Sequence, residues 1–214
     1  IGIKMDMQKN WHTYWKNPGD SGGPIKIKWD TDENIKINEI KWPRPELIPY
    51  EPLMTYGYKD FVIFPFEYIK KDSLNSKIKL NVDFLICNDV CVPEKALIET
   101  SLDEIAIDNN LVVWNDLVPS VTLPVLAEIN NKFIELRFSY NDQINLITFF
   151  IDNQNIVDHS GMQILTKEEN NWLLRVPIIN GLSNLNSING VLSINSDEIF
   201  LINSEMIHKK SQSP

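Results

Sequence analysis

Cysteine is scarce in this chain, which has only Cys87 and Cys91 among 214 residues. That excludes a small secreted scaffold held by several bridges. Histidine is nearly as scarce, and His12, His159 and His208 share no zinc-ligand spacing with the cysteines. Neither a metal nor a bound cofactor is expected. No apolar run approaches the roughly 18 residues of a membrane-spanning helix, and no signal peptide is visible at the N-terminus. The chain opens at Ile1 without an initiator Met, as expected of a mature or trimmed exported product. An excess of basic residues is also lacking, with 29 acidic residues against 20 basic ones and a net charge of −9. Proteins that bind nucleic acid carry clustered Lys and Arg to displace phosphate counterions. Here the lysines are interspersed with Asp and Glu, so no nucleic-acid partner is expected, and docking to anionic lipid is disfavoured.

What is present is a globular composition, 43% hydrophobic and 23% charged. The length suits one large domain or two smaller ones. Residues 25–29, 35–42, 61–68, 78–86 and 97–102 are short runs rich in β-branched and aromatic side chains. Several alternate strictly. Ile25, Ile27 and Trp29 flank Lys26 and Lys28, and Ile78, Leu80 and Val82 flank Lys79 and Asn81. That is the period of a half-buried strand. Turn chemistry separates the runs at Asn17-Pro18-Gly19-Asp20, at residues 31–34 and at residues 71–76. Around residues 103–118 the pattern changes. Leu102-Asp103-Glu104-Ile105 is a short-helix start and Val118-Pro119 a stop, which reads as a linker. The β texture resumes at 127–129, 133–140, 147–151, 172–176, 190–194 and 198–202. The expectation is an all-β chain of two β-sandwich domains, 1–104 and 119–207, with a linker at 105–118 and a polar tail at 208–214.

The two cysteines are four apart. A disulfide needs Cα atoms about 4.4–6.8 Å apart, whereas residues four apart in a straight strand are separated by about 13 Å. The chain must therefore turn between them, and Asn88-Asp89 is a natural pair to make the turn. Pro93 removes a ladder donor just beyond, which places the pair at a turn or sheet edge. Closing so short a loop constrains the unfolded chain by only about 2 kcal/mol. A staple pinning distant strands stabilises more, so a redox role gains weight over a structural one without displacing it. Asp89 and Glu94 are the near charges, and an acidic setting raises a thiol's pKa. Asp89 is a candidate for tuning proton transfer at a cysteine, and equally a turn residue. A soft Cu(I) site made by the two thiolates is a further alternative.

Gly19-Asp20-Ser21-Gly22-Gly23-Pro24 copies the segment around the nucleophile of chymotrypsin-like serine proteases. In that fold the His and Asp partners precede the Ser by a whole barrel. Here His12 lies nine residues upstream and no Asp fits the order. The segment reads instead as a Gly/Pro-rich turn. Trp11, Trp15, Trp29 and Trp42 read as core and rim packing rather than a binding groove. His12 is a candidate base for a thiol, weighed against a hydrogen-bonded structural role.

Three segments together carry a resemblance. They are Trp11-His12-Thr13-Tyr14-Trp15-Lys16-Asn17-Pro18-Gly19-Asp20-Ser21-Gly22, then Ile40-Lys41-Trp42-Pro43-Arg44-Pro45 with Tyr56-Gly57-Tyr58, then Cys87-Asn88-Asp89-Val90-Cys91-Val92-Pro93-Glu94. In this order they resemble the N-terminal periplasmic region of DsbD-like transmembrane thiol:disulfide reductases. The C-x3-C spacing favours the ScsB branch, named for suppression of copper sensitivity. The likeness spans roughly residues 1–104 and is weaker beyond.

The resemblance implies immunoglobulin-like domains in the periplasm and a protein-disulfide reductase function without a bound cofactor. Cys87 and Cys91 would be the redox pair, with Cys91 favoured as the attacking thiol. Electrons would come from a membrane-embedded reductase domain. They would pass to thioredoxin-like, isomerase-like or peroxiredoxin-like clients, serving cytochrome c biogenesis or copper tolerance. The chain would be either a free-standing exported subunit or the soluble part of an inner-membrane protein. In such relatives a cap loop shields the cysteines. Residues 50–58 fall where that loop would lie, which makes Tyr56 and Tyr58 candidate shields. The rival readings are a non-catalytic β-sandwich interaction module with a structural disulfide, and a Cu(I)-binding envelope protein.

Overall fold

The computed structural model describes residues 1–71, 76–130, 132–179 and 185–207, so the expected polar tail lies outside the described residues. The chain divides into two compact units: Ile1–Ile48 with Thr55–Val118, and Pro49–Met54 with the residues from Pro119 onward. The first half of the sequence forms β1 (Gly2–Asp6), β2 (His12–Gly19), β3 (Lys26–Thr31), β4 (Ile35–Ile37) and β5 (Glu46–Tyr50). It continues with β6 (Leu53–Lys59), β7 (Phe61–Pro65), β8 (Tyr68–Lys70), β9 (Lys77–Cys87), β10 (Cys91–Ser101) and the helix α1 (Asn110–Asp116). The second half forms β11 (Val121–Thr122), β12 (Leu126–Ile129), β13 (Phe133–Phe138) and β14 (Ile147–Ile151). It ends with β15 (Ile164–Lys167), β16 (Trp172–Pro177), β17 (Ser187–Ile194) and β18 (Glu198–Ile207). The architecture is all-β and immunoglobulin-like.

The main sheet of the first half has the order β10-β9-β2-β6-β5, with β3 also pairing β9, while β1 pairs β7 and β4 pairs β8. The alternation in β9 explains its place. Ile78, Leu80 and Val82 are buried while Lys79, Asn81 and Asp83 are exposed, so one face of the strand enters the core. The β9–β10 ladder runs antiparallel from Cys91↔Cys87 to Ser101↔Lys77. Its outer face carries the cross-strand ion pairs Lys79–Glu99 at 2.7 Å and Lys95–Asp83 at 2.8 Å. These pairs are exposed and add little stability. Their value is in register, because a one-residue slip would turn the apolar set to solvent.

The strands of the second half follow the order β14-β17-β18-β12-β13-β16-β15, with β11 against β18. Their core is continuous and apolar, built around Ile134, Leu136, Phe149, Ile151, Leu174, Ile188 and Leu192.

Four local expectations change. The run at 35–42 is a strand only over Ile35–Ile37. Beyond it, Pro43 and Pro45 cannot donate to a ladder, and the backbone N–H groups of Asn38, Lys41 and Arg44 bond singly to Glu67, Pro65 and Leu117. The run at 61–68 splits into β7 and β8 after Pro65. Of the expected turn Asn17-Pro18-Gly19-Asp20, the first three residues still belong to β2, whose register with β6 shifts between Tyr14 and Gly19, and the turn begins at Asp20. The segment 105–118 contains α1, whose Trp114 stands edge-on to Tyr58 at 5.8 Å and Phe61 at 5.5 Å. It is therefore packed on the first unit rather than free.

Candidate redox site

The site begins with the β9–β10 hairpin. Asn88-Asp89-Val90 make its turn, closed by the Asn88 N–H donating to the Val90 carbonyl at 3.1 Å. Cys87 and Cys91 are direct register partners on opposite sides of that turn. They form a disulfide, with Cα atoms 4.1 Å apart. Asp89 lies exposed in the turn. The two cysteines differ in access. Cys87 is 1% exposed, whereas Cys91, on the outermost strand of the sheet, is open to solvent.

The cover over Cys87 comes from β2. His12 is its register partner there, and alternation puts Tyr14 on the same face as His12. The Tyr14 hydroxyl donates to Cys87 Sγ at 2.7 Å and lies 3.4 Å from Cys91 Sγ. Disulfide sulfurs carry no proton, so the hydroxyl is the donor at both. The Tyr14 ring is held by two contacts. His12 meets it edge-on at 5.3 Å. Gly22, at φ +91°, also comes so close that a Cβ there would lie 2.1 Å from Tyr14 Cζ. The neighbouring Thr13 hydroxyl ties β2 to the Leu85 carbonyl of β9 at 2.9 Å. Burial raises the Tyr14 pKa, so the hydroxyl keeps its proton. Burial, and secondarily the charge of Lys59, lowers the His12 pKa and favours the neutral ring.

Tyr56 and Tyr58, expected as shields, are placed elsewhere. Gly57 is the register partner of Tyr14, so its two neighbours in β6 point to the opposite face of the sheet. There Tyr56 stands edge-on to Trp15 at 6.4 Å. Tyr58 donates its hydroxyl to the Pro43 carbonyl at 2.7 Å and packs on Phe64 and Trp114. Burial raises both of their pKa values. The aromatic residue that touches the sulfurs is Tyr14. No local pattern marks it, since residues 12–15 are all buried and the contact spans 73 residues.

Further along the β9–β10 ladder, a groove of about 330 Å³ is lined by Gly23, Pro24, Leu85 and Pro93 among others, but by neither cysteine. Leu85 and Pro93 share the face of the two cysteines. Among the described residues, no cluster of three His, Cys, Asp or Glu side chains forms a metal cradle.

The family model described as the N-terminal part of thiol:disulfide interchange protein DsbD matches residues 1–102. No curated protein matches the chain in sequence. Among solved structures, the N-terminal periplasmic domain of ScsB from Proteus mirabilis superposes with a TM-score of 0.75 at 18% identity. The match covers 96% of this chain and 86% of that one. Residues 1–102, which hold the paired cysteines, are therefore a DsbD/ScsB-like N-terminal domain, set in a chain with the fold of the ScsB N-terminal region.

Proposed function

We propose that the chain is a periplasmic dithiol carrier that relays electrons by thiol–disulfide exchange. It takes them from a membrane-embedded reductase domain and reduces envelope client oxidoreductases of thioredoxin-like, isomerase-like or peroxiredoxin-like kind. The observation that carries this reading is the unequal disulfide, with one cysteine exposed on an edge hairpin and the other buried behind Tyr14. An incoming thiolate can reach Cys91 Sγ, and the bond to Cys87 then breaks. In the reverse direction the Cys91 thiolate attacks the client disulfide, and Cys87 resolves the mixed disulfide by attacking Cys91 Sγ. The groove along Leu85 and Pro93, two register positions from the cysteines on the same face, would take the partner's chain.

The test is the equilibrium reduction potential of the Cys87–Cys91 pair in a thiol buffer series. A carrier is expected at about −180 to −270 mV. A value below about −300 mV would mark a structural bridge and end this reading. Either single Ser variant should abolish electron transfer. Cys87→Ser, which leaves the exposed thiol without its resolving partner, should accumulate a covalent mixed disulfide with the client. Cys91→Ser should not.

A further inference from the structure

The buried sulfur poses a chemical problem. When Cys91 Sγ is attacked, the electron pair of the breaking S–S bond passes to Cys87 Sγ, a site only 1% exposed. A thiolate there is cut off from water, and burying an unpaired charge is costly. The nearest aromatic nitrogen base is no help, since His12 is biased to its neutral form. The near charges in sequence, Asp89 and Glu94, are of the wrong sign.

We propose that Tyr14 is a catalytic residue whose hydroxyl stabilises the Cys87 thiolate by a hydrogen bond as the disulfide opens, making the buried sulfur a competent leaving group. This inference rests on the carrier reading above. The donor is already in place, 2.7 Å from Cys87 Sγ in the oxidised state. Its position is fixed by the edge contact with His12 and by the backbone of Gly22 pressed on the ring. No reorganisation is then needed when charge appears, the condition under which a preorganised donor accelerates a reaction.

A dithiol donor's thiolate forms a bond to Cys91 Sγ, and the Cys87–Cys91 bond breaks with its electron pair on Cys87. The donor's second thiolate attacks its own sulfur in the mixed disulfide and expels Cys91 as a thiolate, which solvent protonates. The donor ends as a disulfide and the Cys87/Cys91 pair has gained two electrons. Tyr14 lends a hydrogen bond throughout and keeps its proton.

Tyr14→Phe removes the hydroxyl and retains the ring that His12 and Gly22 hold. Two measurements are made on folded protein, checked by circular dichroism. One is the rate of disulfide reduction by dithiothreitol at fixed pH. The other is titration of the Cys87 thiolate by its ultraviolet absorbance in a Cys91→Ser background. Reduction is expected to slow on the order of tenfold, the effect of losing a hydrogen bond to a charged group. The Cys87 thiolate should form only at higher pH than with Tyr14 intact.

Tyr58→Phe is the control, because it deletes a buried hydroxyl that bonds to Pro43 instead of sulfur. It should leave both readouts unchanged. If Tyr14→Phe alters neither readout, or if Tyr58→Phe alters them equally, the role of Tyr14 is overturned. The carrier reading fails separately, on the potential of the unmodified pair. The thiolate titration still decides the role of Tyr14 in that event.

Discussion

Gly22 sets how closely the backbone approaches the Tyr14 ring, and through it the position of the hydroxyl at the sulfurs. Two penalties apply to any side chain there, a positive φ of +91° and a collision with the ring. Gly22→Ala should cost about 2–4 kcal/mol, read as a lower midpoint in urea unfolding. Gly23→Ala is the contrast. Its added Cβ would meet its nearest neighbour, Leu85 Cδ1, at 3.7 Å, an ordinary contact. That change should stay within about 0.5 kcal/mol. The turn between Cys87 and Cys91 was legible from their spacing and from Asn88-Asp89, while the bond between them is a finding of the structure. Tyr14 was not singled out, because nothing local says that a tyrosine in β2 meets a sulfur 73 residues away. Tyr56 and Tyr58 pointed the wrong way for a similar reason. Their face follows from the pairing of Gly57 with Tyr14, a long-range fact.

At the scale of elements, α1 shows how a tertiary partner turns a linker-like sequence into part of the domain. The helix exposes Val112 and Val113 and turns Trp114 toward Tyr58 and Phe61. Gly2 of β1 also approaches the Leu111 side chain, which a Cβ would meet at 2.8 Å. Trp114→Ala removes two edge-to-face contacts and half-buried aromatic area. It should destabilise the first unit by roughly 2–3 kcal/mol. Chemical denaturation followed by tryptophan fluorescence should show the shift, and a loss under about 0.5 kcal/mol would mean that the helix is not anchored there. The strands that alternate, such as β9, were legible because their two faces meet different solvents. β2 was harder to see. Residues 12–15 are all buried, so no alternation marks the strand.

At the scale of the whole molecule, a carrier must keep its fold in both redox states. The bridge closes only the short turn between adjacent strands. Beyond it the ladder continues from Val92↔Ile86 to Ser101↔Lys77 without help from sulfur. Reduction should therefore cost only about 2 kcal/mol of stability on the chain-entropy estimate. The measurement is equilibrium unfolding with and without dithiothreitol. A loss above about 4 kcal/mol would count as evidence for a structural staple. Neither cysteine belongs to the residues after Pro119. The proposed exchange chemistry thus resides in the first unit.

The sequence by itself determined the all-β class and the turn between the two cysteines. These follow from local alternation and cysteine spacing, neither of which needs a folded partner. Only the tertiary structure decided which sulfur is buried, which aromatic side chain touches it and where residues 105–118 pack. Each of those depends on strand order and register between segments remote in the chain. A one-residue change in pairing would move Tyr14 to the other face and leave Cys87 uncovered.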